Sequence, residues 1–200
     1  DIRKRPATAD EAEGSRFFEL EETFTEAQLQ VLGPRVRKEP VDALHWFVAK
    51  PISYVRNREV TTKYTTDTYP IFMRECAVTK PDGSTAKFYK IYEPLNPDKQ
   101  WRFSYTPDGV KPKQYINGLA ELQKAYRDFN AQEEKLFFND PKNQDATYLE
   151  KKLPEAFICS GERDALCIRA LGCHPLWFNS ETYKVSTEEI KEIYKYVERI

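Results

Sequence analysis

The stretch that decides the fold is residues 154–182, PEAFICSGERDALCIRALGCHPLWFNSET. An apolar run stands on each side of a charged segment whose apolar residues recur at helical spacing. Ser160 suits the start of that helix, and Gly172 suits the left-handed residue at which a helix stops. The pattern predicts a strand–helix–strand unit with parallel strands, in which functional groups gather at the carboxyl ends of the strands. The candidate site residues are therefore expected within 160–164 and 179–181.

The same stretch resembles the first motif of the Toprim domain, which occurs in primases and topoisomerases. That motif is an apolar strand that ends in Glu-Gly, followed by x-x-Asp-x-Leu at the head of a helix. The chain reads SGERDAL at 160–166, so its glycine, aspartate and leucine match. Glu162 matches the Glu-Gly-Glu variant that is common in phage primases. Ser160, however, stands where the family has its catalytic glutamate.

The resemblance implies a role for each polar residue of the motif. Glu162 is the acidic group that remains for catalysis, beside Ser160 and Asp164, and Arg163 is a candidate phosphate contact. Glu181 is a second carboxylate that can take part in holding a metal ion. Glu162 and Asp164 also have a purely structural interpretation, because acidic side chains in the first turn stabilise a helix through its dipole.

The resemblance also implies a magnesium cofactor. Toprim enzymes bind Mg²⁺ through an Asp-x-Asp at the end of the next strand, and phosphoryl transfer relies on such carboxylate-bound metal ions. The apolar spacing after Ser186 predicts a helix that continues to Ile200, which would place that strand beyond this chain. We therefore expect the chain alone to bind Mg²⁺ poorly and to be inactive, as a fragment of a longer protein.

The residues before this unit show a different pattern. Alternating apolar and polar residues, rich in β-branched and aromatic side chains, predict an antiparallel sheet from about residue 44 to 117. Near Gly118 the period changes to that of a helix. The fold class is therefore α+β: an antiparallel β-rich lobe followed by a partial α/β unit of Toprim type, Rossmann-like with parallel strands. The expected domains are a linker at 1–24, a β-rich subdomain at 25–117, a connecting helix and loop at 118–153, and a partial Toprim domain at 154–200.

The β-rich region is similar in order and spacing, over residues 69–118, to the subdomain that precedes Toprim in bacterial and phage primases. By that resemblance, Lys90 occupies the position of a lysine that faces nucleotide or template phosphate. Basic and aromatic residues also mix at 99–113, a combination that can hold phosphates and stack on bases. The alternative is a hairpin with one packed face and one solvated face. The expected nucleic-acid-binding residues are Lys90, Arg102, Lys111, Lys113 and Arg163.

Composition narrows the class of protein. Lys and Arg number 31 against 32 Asp and Glu, which gives a net charge of −1, whereas a protein that coats DNA would be strongly basic. No apolar run approaches the roughly 18 residues of a membrane span, and residues 1–15 lack the apolar core of a signal peptide. The four cysteines form no C-x-x-C pair, so we expect no zinc site, and free thiols suit a reducing compartment. We therefore expect a cytoplasmic protein with no membrane partner.

The leading hypothesis is a fragment of a DNA primase from a mobile element or phage of gut bacteria. The intact parent would make RNA primers by Mg²⁺-dependent nucleotidyl transfer, with single-stranded DNA template, nucleotides and a helicase domain or protein as partners. One alternative is a non-catalytic nucleic-acid-binding module of a mobile element, which Ser160 and the near-neutral charge favour. Another is a Toprim nuclease, which the preceding β-rich region disfavours.

Overall fold

The computed structural model divides the chain into two compact units, Asp1–Lys111 and Pro112–Ile200. The residues that it describes are 2–79, 83–107, 115–180 and 182–200. Each unit has its own sheet and its own buried cluster of apolar side chains. The chain is therefore mixed α+β, and the two units are treated separately below.

The amino-terminal unit is built on an antiparallel sheet. Its strands are β1 (Ile2–Pro6), β2 (Arg16–Glu21), β3 (Trp46–Arg56), β4 (Glu59–Tyr64), β5 (Phe72–Thr79), β6 (Thr85–Tyr92) and β7 (Phe103–Thr106). Its helices are α1 (Glu26–Leu32) and α2 (Lys38–Ala43), with a 3₁₀ turn at Lys99–Trp101. The strand order is β1-β4-β3-β5-β6-β7, and β2 pairs with β3. All of these pairings are antiparallel, so the antiparallel sheet predicted for this region is confirmed.

The long strand β3 determines how this sheet branches. β2 pairs with β3 along Val48–Tyr54, whereas β5 pairs with Trp46–Val48 and β4 with Pro51–Arg56. Since a strand has only two edges, β4 and β5 lie end to end along the edge opposite β2. Beyond β3 the sheet therefore splits into a branch of β4 and β1 and a branch of β5, β6 and β7.

The sheet also curls on itself. The ring of Phe18 on β2 lies 5.1 Å from the ring of Tyr89 on β6. Arg16 on β2 donates from Nη1 to Ser104 Oγ on β7 at 3.3 Å. Because β2 lies on the edge of β3 that faces away from β6 and β7, these contacts require a strongly curved sheet, which forms a half-barrel. The side chains that fill its interior are Ala49, Ile52, Ile71, Met73 and Ile91.

Residues 1–24 are not the expected linker, because they contribute β1 and β2 to the sheet. β1 pairs with β4 from Ile2 opposite Lys63 to Pro6 opposite Glu59. Every residue of β1 is exposed, so the strand needs no apolar alternation and the sequence shows none. β1 is held by backbone hydrogen bonds along the edge of β4, and such pairing does not appear in the hydrophobic pattern. This is why the sequence predicted a linker here.

The carboxyl-terminal unit contains parallel strands. Its elements are α3 (Leu119–Asn139), a 3₁₀ turn (Pro141–Asn143), β8 (Leu153–Glu155), β9 (Phe157–Cys159), α4 (Glu162–Ala170), β10 (Pro175–Trp177), α5 (Thr187–Ile193) and β11 (Val197–Arg199). β9 and β10 are parallel neighbours with Ile158 opposite Leu176, and α4 connects them. This is the strand–helix–strand arrangement that the quoted stretch predicts.

Residues 153–159 form the middle of this parallel arrangement. β8 pairs with β11, and β9 pairs with β10. Ala156 donates its backbone N–H to the Arg199 carbonyl at 3.0 Å, and the next residue, Phe157, donates to the His174 carbonyl at 2.9 Å. Successive N–H groups of an extended chain point to opposite edges. β10 and β11 therefore lie on opposite sides of 153–159.

The segment 118–153 is part of this unit and not a separate connection. Leu122 of α3 is buried in the same apolar cluster as Leu153 of β8 and Leu176 of β10. Asn130, also buried on α3, donates from Nδ2 to the Lys151 carbonyl at 2.9 Å. These contacts fix the long helix against the parallel strands.

The last helix is shorter than its apolar spacing predicts. The capping box that the sequence shows at Ser186 is present, but α5 ends at Ile193 and Val197 begins β11. Val197 lies on the helical face that Ile193 would share, so periodicity alone does not distinguish a longer helix from a helix followed by a strand. Val197 pairs with Leu153 of β8, and residues 197–199 therefore form a strand and not a further turn of helix. A short strand parallel to β8, which the sequence did not predict within the chain, therefore follows α5.

We expect Gly118→Ala to destabilise this unit more than Gly172→Ala. Both glycines have a positive φ, 84° and 80°, where a side chain costs roughly 1–2 kcal/mol. A Cβ on Gly118 would also lie 2.1 Å from the Pro175 carbonyl oxygen, whereas a Cβ on Gly172 would meet nothing within 4 Å. In urea unfolding, the free energy of unfolding should fall by about 1 kcal/mol for Gly172→Ala and by about 3 kcal/mol or more for Gly118→Ala. Equal losses would contradict the close approach of Gly118 to β10.

Candidate functional site

The carboxyl end of β9 carries most of the residues predicted from the motif. β9 ends at Cys159, and α4 begins at Glu162 with Gly161 as its N-cap. Ser160 is therefore not the predicted N-cap. Its hydroxyl donates to Asp164 Oδ2 at 2.5 Å, and both side chains are exposed. The structure thus brings Ser160 and Asp164 together at the surface.

Glu162 points away from that surface. Its side chain is buried, with 6 % of the residue exposed, and Oε1 accepts a hydrogen bond from Trp177 Nε1 at 3.1 Å. Trp177 is the last residue of β10, so the bond joins the start of α4 to the neighbouring strand. A carboxylate held in this way positions the helix and offers little surface to a ligand.

Two asparagines complete this edge: Asn179, which lies in the expected segment 179–181, and Asn117, which the sequence did not single out. Asn117 exchanges backbone hydrogen bonds with Trp177, at 2.9 and 3.1 Å. Its side chain donates from Nδ2 to the Trp177 carbonyl at 3.1 Å and to Asn179 Oδ1 at 3.2 Å. Asn117 thereby fixes the turn that follows β10. The residue lies far from the motif along the chain, so no spacing in the sequence indicates its role.

The Cys159 thiol beside this edge is not a nucleophile. Burial, together with the negative charges of Asp164 and Glu162, raises the pKa of Cys159 to about 12. Its Sγ donates to the Leu176 carbonyl at 3.6 Å. Because the thiolate is the reactive form of cysteine, a thiol that stays protonated at neutral pH serves packing and not catalysis.

The donors described at this edge do not make a magnesium site. Mg²⁺ requires octahedral oxygen ligands, usually one or two carboxylates with phosphates and water. Asp164 is an exposed carboxylate, whereas Glu162 is turned toward Trp177, and Glu181 lies outside the described residues. Within the described ranges no group of three or more His, Cys, Asp or Glu is placed to hold a metal ion. No chemical step is therefore assigned to a metal held by these residues.

In the amino-terminal unit, Lys90 does not line an exposed groove. It is 3 % exposed, and its Nζ lies 4.3 Å from the ring centroid of Phe103 and 5.8 Å from that of Tyr105. Both rings belong to the neighbouring strand β7, and they attract the ammonium group through their electron-rich faces. On the other side, Lys90 pairs across the ladder with the buried Arg74. Lys90 is thus part of the covered face of the sheet.

The other predicted nucleic-acid contacts are placed separately. Arg102 is half-buried, and its Nε donates to the Asn96 carbonyl at 3.0 Å. Arg163 is exposed on the first turn of α4, in the carboxyl-terminal unit. Lys111 and Lys113 lie outside the described residues. Among the described residues, Lys90 and Arg102 therefore form no shared exposed patch.

Comparison with protein-family models, with curated proteins and with solved structures finds no match for this chain. In the parts of the chain that the structure describes, no helix is long and apolar enough to cross a membrane.

We expect Glu162→Ala to destabilise the carboxyl-terminal unit by about 1–3 kcal/mol, since the buried Trp177 indole loses this acceptor. Glu134→Ala, at an exposed position on α3, is the matched control and should change the stability by less than about 0.5 kcal/mol. The measurement is urea unfolding of each variant. Equal stability of the two variants would contradict the structural role of Glu162.

Proposed function

We propose that this chain is part of a DNA primase. Residues 154–200 would supply the first strands and helices of a Toprim-type domain. The β-rich unit would correspond to the subdomain that precedes it. Template-directed primer synthesis by nucleotidyl transfer, with single-stranded DNA and nucleotides as partners, is the activity of the intact parent under this proposal.

One observation carries this proposal. β9 and β10 are parallel neighbours, and the SGERDAL segment leaves the carboxyl end of β9 to open α4. This is the edge at which α/β units place their functional groups. Under this proposal β11, which follows α5 and is parallel to β8, would correspond to the strand that the resemblance expects after that helix.

Asp164 is the acidic group of the motif best placed to act. It is exposed, and the Ser160 hydroxyl orients its carboxylate. Mg²⁺, if the intact parent bound it with further ligands outside the described residues, would supply charge neutralisation for phosphoryl transfer. Asp164 would then be a supporting carboxylate at the edge of α4, and Glu162 positions the helix through Trp177.

A non-catalytic nucleic-acid-binding or assembly module is the second candidate. Two observations favour it: Ser160 replaces the family's catalytic glutamate, and Glu162 is turned inward and does not take that glutamate's place. A Toprim nuclease is the third candidate. The β-rich unit before the parallel strands favours a primase over a nuclease, because the resemblance to primases includes a β-rich subdomain that precedes Toprim.

Primer synthesis by the intact parent protein tests the proposal. We expect the parent to extend primers on single-stranded DNA with Mg²⁺ and nucleotides. Asp164→Asn should lower the yield by about 10- to 100-fold, the usual effect of removing a group that supports a metal centre. Asp128→Asn, which removes an exposed carboxylate of α3 that pairs with Lys124, is the matched control and should leave the yield unchanged.

The outcomes separate the candidates. A parent that makes no primers but still binds oligonucleotides would favour the non-catalytic module. A parent that cleaves DNA, with cleavage lost in Asp164→Asn, would favour the nuclease. Normal primer synthesis by the Asp164→Asn variant would show that the carboxyl end of β9 takes no part in the mechanism.

A further inference from the structure

A groove of about 630 Å³ opens beside the interior of the half-barrel, a volume within the usual range of small-molecule sites. All of its lining residues belong to the amino-terminal unit. Ile52 and Ile91, which line it, are also members of the apolar cluster inside the half-barrel. The inner end of the groove is therefore apolar. The charged lining residues are three cations and two carboxylates: Arg16, Arg56, Lys63, Glu13 and Glu93.

The strand β3 orders the groups along the groove. Ile52, Tyr54 and Arg56 are alternate residues of β3, and its regular pairing with β4 over this stretch puts all three on one face. Neighbours in this row are about 7 Å apart, and the whole row spans about 13 Å. The row begins at a buried isoleucine, passes a half-buried tyrosine and ends at an exposed arginine. One small ligand is therefore long enough to contact all three side chains.

The acidic groups of the groove are already bound within the protein. Glu93 accepts hydrogen bonds from Lys63 Nζ at 2.9 and 2.7 Å and from the Tyr69 hydroxyl at 2.8 Å. Burial and the neighbouring Glu93 raise the pKa of Tyr69, so its phenol stays protonated and remains a donor. Glu13 accepts from two backbone N–H groups of the turn between β3 and β4, at 2.8 and 3.3 Å. Both carboxylates therefore have donors within the protein and require none from a ligand.

The outer end of the groove holds donors that the protein does not use. Within the described residues, the exposed guanidinium of Arg56 makes no hydrogen bond or ion pair, and the Tyr54 hydroxyl makes no hydrogen bond. The other two cations of the groove, in contrast, donate to acceptors of the protein. A guanidinium binds a carboxylate through two parallel hydrogen bonds, and a phenol can donate one more. The outer end therefore suits a carboxylate.

We propose that this groove binds a small monocarboxylate with an apolar body, of the class of a medium-chain fatty acid. Its carboxylate lies on Arg56 and the Tyr54 hydroxyl, and its apolar body extends along β3 to Ile52 and Ile91. A single negative charge also balances the lining, in which the cations outnumber the carboxylates by one. The proposal depends on the amino-terminal unit alone. It fails or succeeds independently of the primase assignment, whose test lies at Asp164.

Titration calorimetry with octanoate provides a direct test on the 200-residue chain. Low ionic strength is used, because salt screens the attraction of an exposed guanidinium for an anion. Octanoate should bind saturably, with one molecule per chain. 1-Octanol keeps the apolar body without the charge, and acetate keeps the charge without the body. Each should bind at least about tenfold more weakly than octanoate, since each lacks one of the two recognised parts.

The variant pair Arg56→Gln and Arg35→Gln separates a specific contact from general charge. Each removes one exposed positive charge from the same unit, but Arg35 does not line the groove. Arg56→Gln should weaken octanoate binding by about tenfold or more, as expected for lost hydrogen bonds to a charged group, and Arg35→Gln should not. Tyr54→Phe, which keeps the ring and removes the hydroxyl, should weaken it by about 2- to 10-fold. Circular dichroism should show that all three variants are folded.

Saturable octanoate binding that depends on Arg56 and not on Arg35 supports the proposal. Absence of saturable binding would overturn it, as would equal affinities for octanoate and 1-octanol, because the charged head would then not be recognised. Equal binding by the Arg56 and Arg35 variants would overturn it as well. Unchanged binding by Tyr54→Phe would overturn the position assigned to the carboxylate.

Discussion

The amino-terminal unit depends on the hydrogen bonding of β3 along both of its edges. β2 occupies one edge, and β4 and β5 share the other. This sharing separates the two branches of the sheet. The Lys63–Glu93 ion pair joins β4 to the end of β6 at this point, with both side chains mostly buried. A pair in such surroundings is costly to break, because the remaining charge would be left without its partner.

The carboxyl-terminal unit depends on a comparable constraint at Ala156. Residues 153–159 place β11 on one side and β10 on the other through the opposite directions of successive N–H groups. Trp177 at the end of β10 then connects this strand to two other parts of the unit: its ring N–H donates to Glu162 of α4, and its backbone pairs with Asn117, just before α3. The loop after β9 is therefore held by its neighbours, and Ser160 and Asp164 lie together at its exposed surface.

The sequence predicts an element well where its buried face repeats along the chain. The apolar runs at 156–159 and 175–178 became parallel neighbours, and alternation predicted the antiparallel sheet. β1 has no buried face, and Val197 of β11 continues the helical spacing of α5, so the apolar pattern does not identify either strand. The hydrophobic pattern also does not predict the directions in which the side chains of the candidate site point. Lys90 is buried against the rings of Phe103 and Tyr105 on the next strand, a placement that depends on the register between strands and not on local spacing.

The orientation of Glu162 bears directly on how the motif works. If Glu162 served as the catalytic glutamate that the proposed Toprim resemblance calls for, its carboxylate would have to leave Trp177 and turn toward the solvent. That movement would remove the acceptor of a buried indole and expose part of the interface between α4 and β10. Asp164 requires no such change, since it is already exposed and oriented by Ser160. Ser160 thus has a role of its own: its hydroxyl donates to the Asp164 carboxylate in the first turn of α4, which a glutamate at position 160 would repel.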